Sequence, residues 1–108
     1  MIDPRIDNIT REVIVGGRRS GKTTRMLEWM AKHPGAVAFC LNQMEVDRLT
    51  HEAHRLGLDL KPDQFWTFSE GASRARMRPG IRPVAVDNAD MILERSLGRR
   101  IDFMTIND

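Results

Sequence analysis

The chain has 108 residues, 41% apolar and 30% charged, with a formal net charge of +2 and one cysteine. Residues 1–108 therefore form a single domain with one core, which at this size buries roughly two-thirds of the surface its unfolded form exposes. No apolar run approaches the roughly 18 residues of a membrane helix, Cys40 alone cannot close an internal disulfide, and "MIDPRIDNIT" lacks the basic start and apolar middle of a secretion signal, so a cytoplasmic protein with no membrane partner is expected.

In chain order, the first apolar segment is "EVIV" (Glu12–Val15), short and β-branched and ending at Gly16-Gly17. It reads as a buried strand entering a tight loop. After Lys22, the residues Met26, Leu27, Met30 and Ala31 are spaced for one face of a helix, which Pro34-Gly35 stops. "AVAFCL" (Ala36–Leu41) is a continuous apolar run, as a parallel strand covered on both faces would be. Asn42 offers a helix cap, with Glu45 three positions on to complete a capping box. Val46, Leu49, Ala53 and Leu56 make the inner stripe of this second helix, and Gly57 supplies a left-handed C-terminal residue.

"QFWTF" (Gln64–Phe68) reads as a third strand from its aromatic content and "PVAV" (Pro83–Val86) as a fourth. Between them, Ser69–Arg82 has no usable periodicity and is expected to be a loop with at most a short helix. Met91–Leu97 predicts a short helix ending at Gly98, and "IDFMTI" (Ile101–Ile106) alternates like a last, exposed edge strand. Strands alternating with helices imply βαβ units. The expected fold class is α/β: a three-layer α/β/α sandwich with a mainly parallel sheet of about five strands and right-handed crossovers.

Within this frame, Gly16, Gly21, Lys22 and Thr23 fill every fixed position of G-x-x-x-x-G-K-[ST], between a predicted strand and a predicted helix. Glycines let consecutive backbone N–H groups turn inward around an anion, where a Cβ would block the approach. A helix beginning near Lys22 adds unpaired N–H groups and a positive dipole end. Lys22 brings a mobile charge to β- and γ-phosphates, and the Thr23 hydroxyl can ligate Mg²⁺. The candidate nucleotide-binding set is therefore Gly16, Gly17, Arg18, Arg19, Ser20, Gly21, Lys22, Thr23 and Thr24. Arg18 and Arg19 could equally meet a partner chain or water, and Thr24 could cap or pack.

A sheet that binds nucleotide at its strand ends needs a carboxylate on a neighbouring strand to hold the magnesium water shell, and "PVAVDNAD" supplies Asp87. With both stretches in view the chain resembles the P-loop NTPases, "GGRRSGKT" looking like a Walker A motif and "VAVD" like a Walker B motif. A strand lying between the two motif strands resembles the RecA-like and helicase division, and within it the phage DNA-packaging (terminase large-subunit) ATPases and related helicase cores. The resemblance implies ATP or another NTP as ligand, Mg²⁺ held by Thr23 and Asp87 (Asp87 through water), and catalytic roles for Lys22, Asp87 and the residue after it. It also gives Thr105 in "FMTIND" the part of a coupling-strand threonine.

One departure stands out. Such ATPases usually carry a glutamate after the Walker B aspartate, and this chain has Asn88. An amide cannot take a proton near neutral pH, and losing a positioned base lowers the rate by roughly 10²- to 10⁴-fold. A side-chain amide can still orient water, which leaves slow hydrolysis open. Asp90 and Glu70 are substitute bases if the fold brings either within reach.

Of the 17 basic residues 14 are arginine, clustered at Arg18-Arg19, at Arg74, Arg76, Arg78 and Arg82, and at Arg95, Arg99 and Arg100. Arginine suits bidentate phosphate contact, although GC-rich coding would produce the same bias. The clusters suggest a DNA or protein partner, or a homo-oligomer in which Arg74, Arg76, Arg78, Arg99 or Arg100 serves as a finger in a neighbouring site. His51 and His54 on one helix lack the spacing of a zinc site, Cys40 reads as a core residue, and Trp29 and Trp66 read as packing residues. The leading expectation is a slow Mg²⁺-dependent ATPase acting with DNA or a protein. The alternatives are a nucleotide-gated binding module without significant hydrolysis and a small nucleotide kinase whose lid is Ser69–Arg82.

Overall fold

The computed structural model describes residues 12–16, 21–71 and 82–105. Its centre is β1 (Val37–Cys40), the most buried strand, flanked on both sides in the order β2-β1-β3 by β2 (Phe65–Thr67) and β3 (Val84–Val86). All pairing is parallel: Ala38 lies opposite Phe65 on one side and Ala85 on the other, and Phe39 lies opposite Trp66 and Val86. The architecture is thus α/β with a parallel three-stranded sheet among the described residues, where about five strands were expected.

Helix α1 (Lys22–Lys32) buries Leu27 and Met30 and stops where predicted, with Gly35 at φ 84° beyond His33. Helix α2 (Gln43–Arg55) buries Val46, Leu49 and Ala53, and Gly57 takes the left-handed φ of 72° just past its end. These five side chains form one core with Ala36, Ala38, Cys40 and Phe65. Small residues at alternate positions of β1 let helices pack closely there. The next residue on the other side of the pleat, Phe39, stacks near Trp66 and meets Phe68 edge-on, and Gly71 in the helical stretch 68–71 comes against its ring.

The α2 cap is half of the expected box. Asn42 Oδ1 accepts from the Glu45 N–H at 3.0 Å, but the Glu45 carboxylate turns to Arg48 instead of returning to the cap. Helix α3 (Ala89–Leu97) begins two residues earlier than predicted and ends at Gly98, φ 70°, whose N–H donates to the Glu94 carbonyl at 2.8 Å.

Two predicted strands are corrected. Glu12–Val15 carries no regular structure, with Val13 and Val15 54% and 93% exposed. β-branching favours a strand only where the segment pairs with a neighbour, and among the described residues Glu12–Val15 joins neither outer edge of the sheet. The second is Ile101–Ile106: residues 101–105 are irregular, Phe103 is 85% exposed, and Ile106 lies outside the described residues. Here the Glu94 side chain accepts from the Ile101 N–H at 2.7 Å, which ties the segment to the end of α3 rather than to the sheet. Thr105, expected on a coupling strand, is exposed on this irregular stretch. Among the described residues no helix is long and apolar enough to cross a membrane.

Candidate functional site

The parallel sheet directs the carboxyl ends of all its strands to one side, the side on which such sheets hold ligands. Asp87 follows β3 there. Its N–H donates to the Phe39 carbonyl at 3.1 Å, continuing the ladder one residue and fixing Asp87 beside the end of β1. Asn88 then turns the chain into α3 with φ 53° and ψ 52°, the one non-glycine residue with positive φ among those described. Asparagine tolerates this left-handed conformation better than most side chains.

From the other end of the sequence, Gly21 at φ 79° opens α1, and Lys22 is its first residue. No side chain caps this helix and no acidic residue stands in its first turn, so the positive end of its dipole has no carboxylate of its own helix beside it. Lys22 Nζ donates to Asn88 Oδ1 at 3.0 Å, a bond between residues 66 positions apart. Asn88 Nδ2 in turn donates to Asp87 Oδ2 at 3.3 Å. The amide thus bridges an ammonium and a carboxylate, a double role that a glutamate side chain lacks because it has no donor for Asp87.

Asp87 is 6% exposed, and burial pushes its carboxyl above the ordinary aspartate range. The Arg48 guanidinium opposes that shift, Glu45 adds to it, and Lys22 and the Asn88 backbone N–H draw it back. Arg48 reaches across from α2, with Nη2 3.5 Å from Asp87 Oδ2 and 2.6 Å from Glu45 Oε2. Cys40, the last residue of β1, lies in the same field. Burial above all, then Asp87 and Glu45, push its thiol to about 12, so it stays protonated and serves as core.

The structure therefore brings together Lys22, Asp87 and Asn88 of the predicted site. Thr23 and Thr24 are half-buried in the first turn of α1, and Gly16 is half-buried at the end of the irregular segment 12–16. Gly17, Arg18, Arg19 and Ser20 lie outside the described residues, as do Arg74, Arg76 and Arg78. Of the two substitute bases, Asp90 is exposed in the first turn of α3, and Glu70 is exposed beyond β2, which β1 separates from β3.

Among the described residues no group of three or more His, Cys, Asp or Glu side chains could cage a metal. Mg²⁺ does not require one, since it takes one or two carboxylates, phosphate oxygens and water. The buried Asp87 carboxylate and the Thr23 hydroxyl fit that donor set.

The remaining arginines that can be placed belong elsewhere. Arg82 Nε donates to the Gly35 carbonyl at 2.7 Å, and its guanidinium lies 5.6 Å from the Trp66 ring centre. Arg99 and Arg100 are exposed, Arg100 standing 3.4 Å from Asp102. Trp29 stacks on His33 with ring centres 4.4 Å apart, while His51 and His54 are exposed on α2. A groove of about 790 Å³ lies between α2 and β2, lined by Val46, Phe65 and Trp66 among others, and neither Lys22, Asp87 nor Asn88 borders it. The one site residue that sequence reasoning missed is Arg48, which reads as the surface partner of Glu45 at helical spacing. Comparison with known proteins finds no matching family model, no matching curated protein and no matching solved structure.

Proposed function

We propose that this chain binds a nucleoside triphosphate, by default ATP, with Mg²⁺ at the junction of residues 16–24 and Asp87, and that it hydrolyses it slowly in concert with a DNA or protein partner. The observation that carries the reading is the Lys22–Asn88 hydrogen bond at 3.0 Å. It joins the two stretches whose residue types suit phosphate and magnesium, one at the start of α1 and the other at the carboxyl end of β3. In this reading the amides at the start of α1 and the Lys22 ammonium hold the β- and γ-phosphates. Thr23 and Asp87 hold the magnesium ion, which when bound offsets phosphate charge and polarises the phosphoryl group. Asn88 orients water through its amide, without taking a proton. The Lys22 ammonium has three donors, so it can take a phosphate oxygen beside Asn88 Oδ1.

A second reading, a nucleotide-gated binding module without significant turnover, is favoured by one specific feature. Asn88 has no proton-accepting group for catalysis, and Asp90 and Glu70 are both exposed. Calorimetric titration with ATP and Mg²⁺, with phosphate release measured in parallel on wild type and Lys22→Ala, tests both. Lys22-dependent binding and slow release are expected. Binding that survives Lys22→Ala unchanged overturns the site, and tight binding without release, alone and with DNA, leaves the module reading in place of the enzyme.

A further inference from the structure

The Asp87 carboxylate is held from two sides by the same oxygen. Asn88 Nδ2 approaches Oδ2 from the turn after β3 at 3.3 Å, and Arg48 Nη2 approaches it from α2 at 3.5 Å. Arg48 is itself held: Glu45 Oε2 accepts from its Nε at 2.7 Å, and the Glu45 backbone is fixed by the Asn42 cap at 3.0 Å. A guanidinium paired only with Glu45 at the helix surface would be an ordinary exposed ion pair, of little energetic weight. Its second partner is different, because Asp87 is 6% exposed while the Arg48 side chain is 46% exposed. The arginine thus carries an orientation from the rigid first turns of α2 to a carboxylate at the mouth of the sheet. Partners of this kind, one contact behind a metal-binding carboxylate, set which way it faces and how well it holds the ion.

We propose that Arg48 is a positioning residue, which fixes the Asp87 carboxylate through Oδ2 for the magnesium of a bound nucleotide. The inference rests on the reading that Asp87 serves Mg²⁺ there. It assigns Arg48 to the metal half of the site and leaves the phosphate half to Lys22 and the loop. The planar fork matters as well as the charge, since Nε and Nη2 grip Glu45 while Nη2 also reaches Asp87. A lysine offers one nitrogen for two carboxylates.

The test is calorimetric titration of the full chain with a non-hydrolysable ATP analogue, once with Mg²⁺ and once with EDTA, on wild type, Arg48→Ala and Arg48→Lys. Arg48→Ala is expected to weaken binding in Mg²⁺ by about 10- to 100-fold while changing binding in EDTA by no more than about twofold, with Arg48→Lys between it and wild type. Equal loss in both buffers, or no loss in either, overturns the assignment. A wild type that binds the analogue in neither buffer removes the nucleotide site itself, an outcome distinct from a binding-competent wild type with an indifferent Arg48→Ala. Should Arg48→Ala not fold, Arg48→Lys retains charge and alkyl stem, and a magnesium-specific loss in that variant, or its absence, decides the matter.

Discussion

The left-handed backbone of Asn88 makes a quantitative test of why the chain carries an amide at this position. At φ 53° and ψ 52°, a residue with a Cβ is strained by roughly 1–2 kcal/mol relative to glycine, asparagine less than most. Asn88→Gly and Asn88→Ala lose the same two side-chain contacts, to Lys22 and Asp87, so their difference isolates the backbone. Alanine recovers part of the strain by losing less chain entropy on folding, which leaves it about 1 kcal/mol below glycine. For 108 residues the unfolding entropy is about 0.23 kcal/mol per kelvin, so the alanine variant should melt about 4 °C below the glycine variant. Asn88→Glu should melt lowest of the three, because it adds a carboxylate beside the buried Asp87 to the same backbone strain. Thermal melts followed by circular dichroism at pH 7 read all three. An alanine variant that melts at or above the glycine variant would refute the argument that backbone conformation selects the residue at position 88.

Two further outcomes follow from packing and charge. Burial raises the Asp87 carboxyl, so the folded chain binds its proton more tightly than the unfolded chain, and the stability this gives is present at low pH and lost as pH rises through the raised value. Asp87→Asn should therefore melt at or above wild type at pH 7, with the gap narrowing as pH falls toward about 4, and an advantage that grows on acidification would contradict this. A Cβ at Gly71 would lie 2.8 Å from Phe39 Cε1 and 3.2 Å from Trp66 Cβ. Overpacking of roughly 1–3 kcal/mol outweighs the helix-propensity gain of about 1 kcal/mol, so Gly71→Ala should lower the melting temperature by about 4 °C, and a rise would mean that the Phe39 ring yields freely.

The parts of the fold legible in the sequence are those whose signal is local. Asn42 caps α2, Gly57 and Gly98 close helices in left-handed conformations, and Val37–Cys40 is a buried parallel strand, because each depends on a few adjacent residues. Glu12–Val15 and residues 101–105 had strand composition without a strand outcome, since pairing depends on a neighbour that composition does not specify. In the candidate site, Lys22, Asp87 and Asn88 could be named from motif spacing, and they do lie together. Arg48 could not, since its reach to Asp87 depends on how α2 packs against β1 and β2. The available hint was indirect: α2 starts two residues after β1, so its first turns must stand at the same end of the sheet as Asp87.

The Lys22–Asn88 bond also bears on how the chain assembles. It closes a span of 66 residues, whereas the backbone hydrogen bonds within α1 and α2 each span a single turn. Closing so long a loop carries an entropic penalty that the hydrogen bonds within a helix avoid, and in the folded chain β3 and Asp87 are docked against β1 beside the junction. A molecule that binds across this junction recognises the finished chain alone, and by mass action it would rescue destabilised variants in proportion to its concentration.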